Sequence, residues 1–214
     1  MSEMINGLFP GVLEPSKTVA GCIDIFENAW PDPQRTINMI EEQVADPNVD
    51  FSWQKATTVG HGSRQDIRTN RHIGISHVAE IDSNPVCQNI HNQFNLLLLA
   101  TTVPYSYRYK LDEPLFYEGY NLLKYAGGQQ YHQHYDGTSK SGRTISAICY
   151  LNNDYEGGEL EFPNFGVTVK PQAGMLILFP SNYAYGHVAH PIISGTKYAL
   201  VTWIHDRPVD WERS

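Results

Sequence analysis

Residues 144–179, TISAICYLNNDYEGGELEFPNFGVTVKPQAGMLILF, decide the fold class. Short runs rich in β-branched and aromatic residues, Thr144 to Leu151, Glu159 to Phe162, Val167 to Lys170 and Met175 to Phe179, alternate with breakers. The breakers are Asn152-Asn153-Asp154, Gly157-Gly158, Pro163-Asn164, Pro171 and Gly174. Val, Ile, Tyr and Phe fit a pleated, half-buried surface, whereas Gly, Pro and Asn interrupt it and supply turns. No helical period separates the runs, which argues against a βαβ arrangement. The pattern continues outward, with Leu115 to Tyr125 and Gln129 to Asp136 upstream, broken by Gly127-Gly128. Downstream, Pro180-Ser181-Asn182 and then Lys197 to Ile204 extend it. Seven short strands at these spacings predict a double-sheet jelly roll, that is, a double-stranded β-helix core.

The first hundred residues read mainly as helix with a loop-rich interruption. Asp32 to Val44 opens with Asp32 as N-cap and Pro33 at the first helical position, then repeats Ile37, Ile40 and Val44 at helical spacing. Ser83 to Leu99 has Ser83 as N-cap and Pro85 in the first turn, with Val86, Ile90, Phe94, Leu97 and Leu98 along one side. Such a stripe is buried most readily on the outer face of a sheet, at roughly 25 cal/mol per Å². His91 beside it reads as a partly buried structural histidine. Phe51 to Ser76, with Arg64, Asp66, Arg68 and Arg71, carries no clean period and reads as a long loop with short extended pieces. The expectation is a mainly β protein with flanking helices, the N-terminal helices packing on the outer face of one sheet. One domain over 1–214 is expected, with a helical and loop-rich support at 1–114 and a jelly-roll core at 115–206.

Hydrophobic content of 41% and charged content of 18% are those of a globular chain. The net charge of -8 leaves no basic face to displace counterions from a nucleic-acid backbone, so nucleic acid is not an expected partner. Cys22, Cys87 and Cys149 are odd in number and widely spaced, matching neither a disulfide framework nor a thiolate zinc site. A reducing compartment is the simpler reading. Met1 to Gly11 lacks the basic and apolar regions of a secretory signal, and Leu96 to Ala100 is far short of the roughly 20 residues that span a bilayer. A soluble intracellular protein with no membrane partner is expected.

The chemistry-bearing residues cluster in the strand-rich half. On a strand, residues i and i+2 project from one face, so His134 and Asp136 can reach a single point. A distant histidine would complete a two-His, one-carboxylate set, which leaves coordination positions open on non-haem iron. With nine His and eleven Asp in 214 residues, roughly 0.5 His-x-Asp pairs arise by chance, so the pair alone discriminates little. His132 shares the strand face of His134, and His190 lies three residues after His187. Spacing alone leaves both choices open. Glu159 and Glu161 alternate with Leu160 and Phe162, as on a half-exposed strand, and read as solvated. Arg143 lies seven positions before Tyr150, so an unbroken strand would aim the two at opposite faces. A bulge or a later strand start is required if they are to share one.

A longer pattern surrounds these residues: Tyr125-x-x-Gly128-x-x-Tyr131-x-x-His134-x-Asp136, Arg143, Tyr150-Leu151-Asn152, Gly157-Gly158-Glu159, Phe162-Pro163, Val169-x-Pro171-x-x-Gly174, Phe179, His187, Pro191, Gly195, Lys197 and Trp203. Over about eighty residues it resembles the prolyl 4-hydroxylase branch of the iron(II)- and 2-oxoglutarate-dependent dioxygenases. The resemblance selects His134 over His132 and His187 over His190. It implies His134, Asp136 and His187 as iron ligands and Lys197 as partner of the far carboxylate of 2-oxoglutarate. Tyr125 and Tyr150 would be hydroxyl donors to that cosubstrate, and Arg143 and Trp203 would lie toward substrate. Iron(II), 2-oxoglutarate, dioxygen and L-ascorbate are the implied cofactors and cosubstrates, and a peptide or protein containing proline the implied partner. A free amino acid or other small molecule, or a cupin-like metal- or ligand-binding module without turnover, are the alternatives. Arg68-Thr69-Asn70 weakly resembles an Arg-Thr-Ser element of the family's substrate loop. Tyr198 departs from the pattern, standing where many prolyl hydroxylases have Trp. With no peptide-binding domain or endoplasmic reticulum signal alongside, a collagen-type substrate is in doubt.

Overall fold

A computed structural model of the chain describes residues 11–49, 51–56, 68–76, 84–112, 114–138 and 141–207. In chain order the elements are β1 (Lys17–Val19), β2 (Ile23–Phe26), α1 (Pro33–Ala45), β3 (Gln54–Lys55), β4 (Arg71–Gly74), α2 (Pro85–Tyr109), β5 (Phe116–Tyr117), β6 (Asn121–Tyr125), β7 (Tyr131–His134) and β8 (Ile145–Tyr150). They continue with β9 (Glu156–Gly157), β10 (Leu160–Phe162), β11 (Val167–Val169), β12 (Leu176–Pro180), β13 (His187–Ala189), β14 (Ile192–Ser194) and β15 (Lys197–His205). The large sheet runs β1-β2-β12-β8-β15-β6-β4-β3, with β5 on the end of β15. A second sheet runs β11-β10-β13-β7, and β14 pairs with β9.

The strand period explains how these sheets stack as a double-stranded β-helix. Along β8, Ile145, Ala147 and Cys149 join a cluster with the helices, while Tyr150 joins a cluster containing Leu160 and Phe162 of the second sheet. Along β12, Leu176 and Leu178 face the helices and Ile177 and Phe179 the second sheet. The central strands are covered on both faces, which is why they read as apolar runs without polar alternation. The helices therefore pack on the outer face of the large sheet, and the inner face is free to build a cavity against the second sheet.

Helix α1 starts as expected. Asp32 caps it from a left-handed backbone (φ 49°), and its side chain accepts from the Arg35 amide at 3.2 Å. Helix α2 differs from its expected bounds. Asn84 is the cap, accepting from the amides of Val86 and Cys87, and Ser83 lies outside the described residues. The helix then runs ten residues past Leu99, through Pro104. A proline there removes the N–H that Ala100 O would receive. The amide of Leu13 fills that place at 2.9 Å, so no carbonyl is orphaned. The helix is buried on more than one side: beside the stripe of Ile90, Phe94, Leu98, Thr101 and Tyr105, the flanking Ala100, Thr102 and Ser106 are buried too. His91 is half-buried, with Nδ1 3.1 Å from Ser76 Oγ and its ring 4.8 Å from Tyr120.

The first hundred residues carry the two expected helices and also supply four strands that extend both edges of the large sheet, β1 and β2 beside β12, and β3 and β4, the short extended pieces expected within 51–76, beside β6. Each is two to four residues long, too short to establish a period of two. For the same reason β13 and β14 gave no signal. Residues 57–67, in the middle of the expected long loop, lie outside the described residues. All three cysteines are free. No described helix is long and apolar enough to cross a membrane.

Candidate active site

Strand pairing brings together the two histidines that are 53 positions apart in sequence. His187, the first residue of β13, pairs with His134, the last residue of β7, and their rings lie 4.2 Å apart. Asp136 follows two residues on, with Oδ1 3.7 Å from His134 Nε2 and Oδ2 3.7 Å from His187 Nε2. These ligand atoms all lie within 4.8 Å of one another, and no other such group occurs among the described residues. Both imidazoles turn Nδ1 toward a backbone carbonyl, His134 to His132 O at 2.7 Å and His187 to Tyr185 O at 3.1 Å. A carbonyl can only accept, so each Nδ1 is the protonated nitrogen and each Nε2 presents its lone pair to the shared point.

The carboxylate is held with equal care. Ser146 Oγ donates to Asp136 Oδ2 at 2.6 Å and contacts Ser181 Oγ at 2.8 Å. The next residue, Gly137, sends its amide to Ser181 O at 2.7 Å, and a Cβ there would stand 2.5 Å from Arg143 O. Any larger residue would displace the turn that aims Asp136. Burial alone would raise the Asp136 pKa, but the flanking His187 and His134, the Ser146 hydroxyl and Trp203 outweigh it and hold the carboxyl below its usual value. Burial, reinforced by the His187 ring, keeps His134 well below the usual imidazole value and therefore neutral. Two imidazoles and one carboxylate, without thiolate, are a donor set that fits iron(II).

The two competing histidines stand apart. His132 is exposed, with its ring 3.4 Å from the Gln130 amide nitrogen. His190 pairs with Glu161 at 2.7 Å on the half-exposed side of the second sheet.

The cavity between the sheets is lined by the three residues above together with Tyr125, Tyr150, Lys197 and Trp203. Lys197 is 2% exposed, and among the described residues no carboxylate pairs with it. Its Nζ donates to Gly158 O at 2.8 Å and lies 4.8 Å from the Tyr125 ring and 6.0 Å from those of Tyr150 and Tyr155. Burial pulls its pKa down to about 8, with Glu159 partly offsetting the loss. Register places these groups: Tyr125 on β6 is opposite Lys197, and Tyr150 on β8 is opposite Ala199. Burial raises both phenols, which stay protonated. An ammonium enclosed by aromatic rings and one carbonyl is costly unless an anion joins it.

Arg143 precedes β8, which begins only at Ile145, so the seven-residue separation from Tyr150 does not span one strand. Its guanidinium lies over the Trp203 ring at 3.6 Å and grips Glu118 through two bonds of 2.6 and 2.7 Å. His205 Nε2 reaches the same carboxylate at 2.9 Å. Trp203 lines the cavity, whereas Arg143 stands behind it.

Three further residues line the cavity: Tyr131 and Ser146, to which the sequence assigns no role, and Arg68, which it links only weakly to a substrate loop. Tyr131 stacks on His134 with ring centres 3.4 Å apart and planes at 14°, and Arg68 lies over the Tyr131 ring, 5.0 Å from its centre. Arg68 and Tyr131 form an isolated bridge, joining the 68–70 segment to the free edge of β7. Ser146 was legible as the one polar residue on the inner face of a strand otherwise apolar there.

Comparison with known proteins follows this geometry. The family model described as the 2OG-Fe(II) oxygenase superfamily matches residues 120–205. Prolyl 4-hydroxylase 13 of Arabidopsis thaliana is 30% identical over 143 residues, 53% of this chain and 49% of that protein. A putative prolyl 4-hydroxylase of Acanthamoeba polyphaga mimivirus is 26% identical over 166 residues, 68% of this chain and 62% of that one. The chain thus spans about half the length of the curated relatives it matches. Two solved structures share the fold. A Pseudomonas putida prolyl-4-hydroxylase superposes with a TM-score of 0.64 at 22% identity, covering 86% of this chain and 92% of that one. A Trichoplax adhaerens prolyl hydroxylase, solved with a peptide fragment of the hypoxia inducible factor oxygen degradation domain, has a TM-score of 0.66 at 18% identity, covering 87% and 84%.

Proposed function

We propose that the chain is a member of the prolyl 4-hydroxylase branch of the 2OG-Fe(II) oxygenase superfamily, which its matches to that family model and to prolyl 4-hydroxylases support, and that it hydroxylates a proline residue in a peptide or protein. The reaction consumes 2-oxoglutarate and dioxygen and yields succinate and carbon dioxide. One observation carries the proposal: His134, Asp136 and His187 converge in the same cavity whose wall holds Lys197, a buried ammonium that no carboxylate pairs with among the described residues.

In this reading His134, Asp136 and His187 hold iron(II), Lys197 binds the far carboxylate of 2-oxoglutarate, and Tyr125 and Tyr150 donate hydroxyl hydrogen bonds elsewhere on that cosubstrate. When bound, the metal and cosubstrate supply the oxidising equivalent that places one atom of dioxygen on a substrate carbon. The chain supplies orientation and a dry cavity. The His132 and Tyr185 carbonyls fix the imidazole tautomers, Ser146 fixes the carboxylate, and the paired sheets exclude water. Trp203, with Arg143 clamped against it by Glu118, forms a rigid wall toward substrate. L-Ascorbate, implied by the family, is the expected reductant that sustains turnover. The whole of 1–214 acts as one catalytic domain, and its three free thiols support an intracellular setting.

The test is incubation with iron(II), 2-oxoglutarate, oxygen and ascorbate against a panel of proline peptides, free amino acids and cellular protein. Hydroxyproline formed in peptide in step with succinate is the expected result. Succinate formed only with a free amino acid would move the reading to a small-molecule hydroxylase. Bound iron with no 2-oxoglutarate turnover would favour a binding module.

Lys197 also sets a pH dependence. Only its protonated form pairs with a carboxylate, and its pKa in the free protein is about 8. Affinity for 2-oxoglutarate is therefore fully present below about pH 8 and weakens above it by roughly tenfold per unit, as binding must first take up a proton. Dissociation constants measured across that range check this, and a flat profile above pH 8 would contradict it.

A further inference from the structure

Three side-chain polar atoms among the described residues are buried without a hydrogen-bond partner: Trp53 Nε1, His72 Nδ1 and Tyr155 Oη. Buried hydroxyls are nearly always paired, so each orphan requires a physical explanation. Of the three, Tyr155 stands beside the cavity's buried cation, with its ring centre 6.0 Å from Lys197 Nζ.

The approach depends on Gly158. Its backbone is left-handed (φ 70°), and a Cβ there would fall 2.5 Å from Ile192 Cδ1, 3.0 Å from Tyr155 Cε2 and 3.3 Å from Lys197 Nζ. Cε2 adjoins the ring carbon that carries the hydroxyl, so the phenolic edge of Tyr155 and the Lys197 ammonium meet over one glycine. Its carbonyl already holds the ammonium at 2.8 Å. Tyr125, Tyr150 and Tyr155 together enclose Nζ, and burial raises the Tyr155 phenol, which stays a donor.

We propose that Tyr155 is a third tyrosine of the cosubstrate pocket, its unpaired hydroxyl donating to the far carboxylate of the 2-oxo diacid beside Lys197. The inference rests on the 2-oxoglutarate reading given above and extends it to a residue outside the pattern shared with the family. It gives the orphan hydroxyl its missing acceptor and the diacid a second donor at its far end.

The test is Tyr155→Phe in the full chain, with two readouts. Without cosubstrate the variant should melt no lower than the parent, since the substitution removes a hydroxyl that bonds to nothing. In anaerobic binding titrations with iron(II) present, its dissociation constant for 2-oxoglutarate should rise about tenfold. The constant for 2-oxopentanoate, which lacks the far carboxylate, should not change. The KM for 2-oxoglutarate should follow the dissociation constant while kcat at saturation is kept. An unchanged 2-oxoglutarate constant in Tyr155→Phe, with Lys197→Ala still losing affinity, would overturn this inference and leave the pocket reading standing. Equal weakening of both ligands would also overturn it, because the hydroxyl would then not act on the far carboxylate. A parent chain that binds no 2-oxoglutarate would bring down both readings.

Discussion

Replacing His187 with alanine is expected to abolish metal binding and, with it, all 2-oxoglutarate turnover. His187 is the only member of the set supplied from β13, and its Nε2 stands 3.7 Å from Asp136. Without it His134 and Asp136 remain as a two-residue site, which holds a divalent ion far more weakly than three converging groups. The residue is 3% exposed, so the variant's melting curve must be recorded alongside. His187→Gln, which keeps most of the volume, serves as the second variant. Iron content after dialysis and succinate formation are the readouts. His190→Ala and His132→Ala should stay within about twofold of the parent, since one ring pairs with Glu161 and the other is exposed. Full activity in the His187 variants would reject the ligand assignment, and metal loss in His190→Ala would show the wrong histidine had been chosen.

Replacing Lys197 with alanine should weaken 2-oxoglutarate binding by about 2 to 5 kcal/mol, the range for a buried charge pair broken on one side. At 1.4 kcal/mol per factor of ten, that is roughly thirtyfold at the least. Lys197 is the cation enclosed by the tyrosine rings and the Gly158 carbonyl, whereas Arg68, which also lines the cavity, lies over the Tyr131 ring. The metal group belongs to other strands, so iron content should stay at the parent level. This separates the effect from that of His187. The free variant should be no less stable, because an unpaired buried ammonium is itself a cost. An unchanged KM for 2-oxoglutarate would contradict the role.

What could be read from the sequence follows from element length. The long central strands β8, β12 and β15 announce themselves by composition and by the breakers around them, and they carry Tyr150, Lys197 and Trp203. Strand β13 is three residues long, so His187 could not be placed on a strand by period, and residue spacing could not prefer it over His190. The longer pattern, with Pro191, Gly195 and Lys197 at fixed distances, made that choice. Contacts between distant segments were illegible for a different reason. Nothing local in Arg68 or Tyr131 says that Arg68 lies over Tyr131 or that Tyr131 stacks on His134. Likewise nothing near Pro104 says that Leu13 will cap its missing hydrogen bond. Arg143 was weighed as a strand residue, whereas its setting is fixed by Glu118 and Trp203 from other elements.

Anomalous diffraction from crystals grown anaerobically with manganese(II) and 2-oxoglutarate tests the central claim most directly. The account predicts one metal peak between His134 Nε2, His187 Nε2 and the Asp136 carboxylate, and a diacid whose far carboxylate meets Lys197 Nζ. A metal peak elsewhere, such as at His190 and Glu161, or a diacid whose far carboxylate points away from Lys197, would contradict it.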